Sequence, residues 1–101
     1  NVMVSNLVLS IIDRAVTYLK NANLNEEEAL ALLIPLAKQN IINIESKGIK
    51  NSITGPAARE DFEVLKNHLE VMKDEDKDFY KYLSQNILDI LGKNIDINKK
   101  V

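Results

Sequence analysis

An all-α fold is the expectation, and three observations lead to it. Polar residues in the first segment fall at helical spacing, a capping box opens the second, and apolar residues of the third and fourth recur at steps of three and four. Four helices and no strands are read, joined by short connections, as one domain over residues 1–101.

The first helix is expected from about Val2 to Asn21. Asn6, Ser10, Asp13, Thr17 and Lys20 form one narrow polar stripe. The rest of its surface is apolar, a wider arc than one side of a small core needs, so a long hydrophobic helix covered on more than one side is predicted. The second helix starts at Asn25, with Glu28 at the capping-box position and Leu24 placed to staple onto Ala29; it stops at Gly48. Pro35 lies inside it, and a missing backbone donor there predicts a kink or the meeting of two helices.

Residues 53–62 read ITGPAAREDF. Gly55 permits a turn, Pro56 presets φ where a helix begins, and Asp61 is a cap for FEVLKNHLEVM. Arg59 has two readings. In a chain with only two arginines, its planar fork of donors suits a carboxylate, a phosphate or carbonyl oxygens; a brace to Asp61 or Glu63 is the plainer alternative. The third helix sets Phe62, Leu65, Leu69 and Met72 on one face, with His68 at its border, either an acid–base group or a hydrogen-bond partner of the preceding loop. KDEDKD reads as a solvated turn, since it lacks the glycine and distal glutamate of a calcium loop. The fourth helix, about Lys77 to Leu91, carries Phe79, Leu83, Ile87 and Leu91 and ends at Gly92, after which the tail is expected to fray.

Composition narrows the function classes. Apolar residues at 46% and charged residues at 28% are a globular balance, and a net charge of −2 with no basic patch argues against nucleic acid. The chain has no cysteine and one histidine, which excludes thiolate and multi-histidine metal sites and suits a cytoplasmic location. Polar residues interrupt the N-terminal run too often for a membrane span, and the run lacks the marks of a signal peptide. A helix already under way at Asn1 leads to the expectation of further chain upstream.

SN on the first helix, LLIPLAKQNIINI on the second and then ITGPAAREDFEVLKNHL together resemble the helical C-terminal domain of a family of NAD(P)-dependent oxidoreductases. Members carry a Rossmann-like domain first and a domain of unknown function second. The resemblance spans Val2 to Leu91. Its most specific element is T-G-P-x-x-R-x-D followed by H-L, here Thr54, Gly55, Pro56, Arg59, Asp61, His68 and Leu69. The family usually has glycine between the arginine and the aspartate, where this chain has Glu60. The resemblance implies a bundle similar to the C-terminal domain of 6-phosphogluconate dehydrogenase, with Pro35 in its second helix. It further implies that NAD or NADP is bound by a Rossmann-like domain of the parent protein, none by this chain, and that two copies pair as a homodimer. Ser5, Asn6, Thr54, Arg59 and His68 are the implied substrate-binding candidates, while Gly55, Pro56 and Asp61 shape the corner. The catalytic lysine of related hydroxyacid dehydrogenases is not matched, because Val2 and Met3 stand where it would precede Asn6. The other reading is a stand-alone helical interaction module.

Overall fold

The computed structural model describes all 101 residues. It is all-helical, with four α-helices and no strands: α1 (Asn6–Asn21), α2 (Glu26–Lys47), α3 (Phe62–Val71) and α4 (Asp74–Ile90), plus short 3₁₀ turns at Lys50–Ser52 and Ile97–Lys99. The chain divides into two compact units, Asn1–Ser46 and Lys47–Val101.

In the first unit, α1 has 16 residues and begins at Asn6, so the long first helix expected from Val2 is not what forms. The physical reason is local. The Asn1 side chain accepts the Met3 N–H at 2.8 Å and its carbonyl accepts the Ser5 hydroxyl at 3.1 Å, which holds residues 1–5 in turns that compete with the helix. α1 ends in a Schellman motif: Asn23 sits at φ 70°, the Leu24 N–H reaches the Leu19 carbonyl and the Asn23 N–H reaches that of Lys20. The expected capping box then forms, Glu28 N–H to Asn25 Oδ1 at 2.8 Å and Asn25 N–H to Glu28 Oε1 at 3.0 Å. α2 continues for 22 residues through Pro35, where a meeting of two helices was one of the expected outcomes. Proline denies the Ala31 carbonyl its intrahelical donor, but Ala31 and Pro35 are both exposed, so water can satisfy that carbonyl.

Only Val16 and Ala29 of this unit are buried. Both lie on the turns nearest the loop. The start of α1 and the second half of α2 leave Leu7, Leu9, Leu36, Ile41 and Ile42 exposed.

The second unit has a closed core of Ala57, Leu65, Leu88 and Ile97, against which Phe62, Tyr80, Ile87, Ile95 and Val101 pack. In α3, Leu65 and Leu69 are buried and Phe62 and Met72 half-buried, the face expected from their spacing. KDEDKD is not a free turn: Asp74, Glu75 and Asp76 make the first turn of α4, where acidic side chains favour the positive end of the helix. The buried ridge of α4 is Asp76, Ser84 and Leu88, with Tyr80 half-buried between them. Of the expected ridge, Ile87 packs on the core while Phe79 and Leu83 stay exposed.

The tail does not fray. Gln85 on α4 clasps it, donating to the Ile95 carbonyl at 2.8 Å and accepting the Ile97 N–H at 2.8 Å. Ile97 is thereby buried at 2% exposure, and the Lys100 ammonium lies 5.8 Å from the centre of the Phe62 ring. No buried side-chain polar atom lacks a hydrogen-bond partner.

Candidate functional site

The corner between the Lys50–Ser52 turn and α3 is built by three backbone devices. Gly55 adopts φ 96°; a Cβ there would meet nothing within 4 Å, so it is the backbone conformation and not crowding that calls for glycine. Pro56 to Glu60 make one helical turn, in which the Arg59 N–H donates to the Gly55 carbonyl and the Glu60 N–H to that of Ala57. The Asp61 N–H then reaches back to the Pro56 carbonyl at 2.9 Å, closing a second Schellman motif with Glu60 at φ 56°. Glu60 is therefore at the one position of the turn where glycine is strain-free, which gives a physical meaning to the departure seen in the sequence. Its carboxylate meets the Lys93 ammonium at 2.6 Å. Asp61 caps α3, its Oδ1 accepting the Val64 N–H at 3.4 Å. Ala57, inside the turn, is buried in the core and fixes the corner from beneath.

Thr54 and Arg59 are exposed on this corner. The brace expected from Arg59 to Asp61 or Glu63 does not form: Asp61 serves the α3 N-terminus, and the acid that braces the corner is Glu60, through Lys93. The Arg59 guanidinium is left facing solvent with its fork of donors unengaged.

His68 does not bond the preceding loop. Its Nδ1 lies 2.7 Å from the Tyr80 hydroxyl on α4, with the two rings edge to face at 6.0 Å between centroids. Burial raises the Tyr80 pKa above its ordinary value. Ser5 and Asn6 belong to the other unit. Ser5 occupies the N-cap position of α1, yet its hydroxyl turns back to the Asn1 carbonyl, and the Asn6 side chain is exposed.

Tyr80, Gln85 and Lys93 were not singled out in the sequence. Each acts on a partner at least ten residues away, and no local spacing advertises such a pair. No group of three or more acidic or histidine side chains converges on a metal-sized site. Gly48 and Gly92 follow helix ends and Gly55 opens the corner, so no glycine-rich strand-to-helix turn exists to receive a pyrophosphate. An apolar recess lies on α2, a groove of about 370 Å³ lined by Ile34, Ala37, Lys38, Ile41 and Ile42. No helix is long and apolar enough to cross a membrane.

The arrangement is all-helical, with an arginine-bearing corner in one unit and many exposed apolar side chains in the other. The chain belongs to the family described as Domain of unknown function (DUF2520), whose match runs over residues 1–87 and so takes in the corner, α3 and most of α4. The clasped tail lies beyond the matched residues. No curated protein and no solved structure matches the chain.

Proposed function

We propose that this chain is the dimerisation and substrate-cleft part of an NAD(P)-dependent oxidoreductase, whose nicotinamide cofactor is held by a Rossmann-like domain elsewhere in the parent protein. One observation carries the reading: of 17 large apolar side chains that stay exposed, twelve lie in Asn1–Ser46. At about 100 Å² each their exposed area sums to roughly 1,200 Å², enough that a subset of them on one side could supply the ~800 Å² each partner contributes to a standard interface. A second copy of the same face, related by a two-fold axis, is the simplest cover.

In this reading the corner supplies the polar side of a cleft. Arg59 presents paired donors to a carboxylate or phosphate of the substrate and Thr54 adds a hydroxyl, with His68 a further candidate of the same unit; Ser5 and Asn6 are candidates in the other unit, taken by themselves. The cofactor would supply the hydride chemistry when bound in the parent; the residues of this chain bind and orient. The similarity to the C-terminal domain of 6-phosphogluconate dehydrogenase, and a cytoplasmic location, belong to the same proposal.

The gene segment ahead of Asn1 separates this function from a stand-alone interaction module. A strand leading into G-x-G-x-x-G supports the oxidoreductase, and an open reading frame beginning just before Asn1 overturns it. Calorimetric titration of the 101-residue chain with NADPH provides a second check. No heat of binding is expected, and affinity in the low micromolar range would contradict the division of labour.

A further inference from the structure

We infer that Glu60 and Lys93 are positioning residues for Arg59, forming a salt-sensitive latch that holds the corner in its presenting conformation. The inference rests on the reading of Arg59 as a ligand contact, but its physical basis is separate. Glu60 occupies the left-handed region at φ 56°, where a side chain other than glycine is strained. Its carboxylate is joined at 2.6 Å to Lys93, 33 residues away, with both groups only partly exposed. Lys93 is itself held: its N–H donates to the Leu88 carbonyl in the Schellman motif that ends α4 at Gly92, φ 73°. The ion pair therefore ties the helix-ending turn before α3 to the helix-ending turn after α4.

The gain from a partly exposed ion pair is smaller than the strain at a left-handed glutamate and offsets part of it. Removing the pair leaves the strain uncompensated. The corner then opens more often, and the backbone that carries Arg59, one residue before Glu60, opens with it. Ala57 remains buried below, so the opening is confined to the turn and does not spread to the core.

Three amides report this opening, because Arg59, Glu60 and Asp61 each donate a backbone hydrogen bond within the turn. Amide hydrogen exchange, measured by NMR on the 101-residue chain, needs no ligand, so it tests the latch independently of any role in binding. Lys93→Met keeps the aliphatic stem and removes the charge. It should lower protection at these three amides about three- to five-fold while leaving Leu69 and Leu88 unchanged, and salt near 1 M should act in the same direction. Glu60→Gly should retain protection and abolish the salt sensitivity, since it removes strain and pair together. The exchanged pair Glu60→Lys with Lys93→Glu should recover most of the loss. Unchanged protection in Lys93→Met would overturn the latch, as would a loss spread equally over Leu69 and Leu88, which would make Lys93 a general stability contact.

Discussion

In Lys47–Val101, two short helices and a clasped tail bury Leu65 and Leu88 to 1% and 0% exposure, and the polar groups drawn inside have partners. In Asn1–Ser46, two helices with at least as much apolar sequence bury only Val16 and Ala29 and leave Met3, Val4, Leu9, Leu36 and Ile41 more than 60% exposed. The difference lies in what each unit has to close against. The second has three layers of chain, α3, α4 and the tail, and the first has two helices whose apolar arcs are wider than a pair can cover. One unit is closed by its own residues, and the other leaves the apolar surface that the proposed second copy would cover.

The largest expected effect sharpens this contrast. Leu88→Ala should lower the stability of the chain by about 2–5 kcal/mol, as a cavity in a closed core does, whereas Leu9→Ala under dilute, monomeric conditions should change it by less than about 0.5 kcal/mol. Denaturant titration compares the two directly, and a Leu9→Ala cost as large as that of Leu88→Ala would show that the first unit is already closed. Next comes Gln85→Ala, which leaves the Ile97 N–H and Ile95 carbonyl without their partner and should cost about 1–3 kcal/mol. Its signature is loss of protection in the tail before the helices melt; a tail that stays protected would mean that Ile97 burial alone holds it. Asp61→Ala should cost about 1 kcal/mol through the lost cap of α3, read as a lower thermal midpoint. Arg59→Lys should be the quietest, within about 0.5 kcal/mol of the parent chain, because its guanidinium braces nothing. A larger loss would return Arg59 to the architecture of the second unit.

The helices were legible in the sequence where their signals are local. The capping box at Asn25 and Glu28, the stops at Gly48 and Gly92, the cap at Asp61 and the buried face of α3 all involve residues within four positions of each other. What was missed is non-local or ambiguous. α4 carries two neighbouring ridges, and the buried one contains Asp76 and Ser84, polar residues that make the sequence point to Phe79 and Leu83 instead. The tail looked free because Gln85, which clasps it, lies ten and twelve residues away. At the corner, Gly55, Pro56 and Asp61 were readable as backbone devices, while a brace was only one of the two readings of Arg59. The acid that performs it is Glu60, and its partner Lys93 is 33 residues distant. Uncovered apolar surface was legible in the width of the first helix's arc, though not the start of that helix, which the Asn1 side chain sets.

The central claim is that the face left open by Asn1–Ser46 is closed by a second copy, and sedimentation equilibrium tests it most directly. The 101-residue chain at tens of micromolar should show twice its 11.4 kDa mass, and Ile41→Asp, in the α2 groove, should shift it to the monomer without lowering the helix content of Lys47–Val101. A clean monomer for the parent chain at that concentration, or a dimer indifferent to charges placed at both Ile41 and Leu9, would contradict the account.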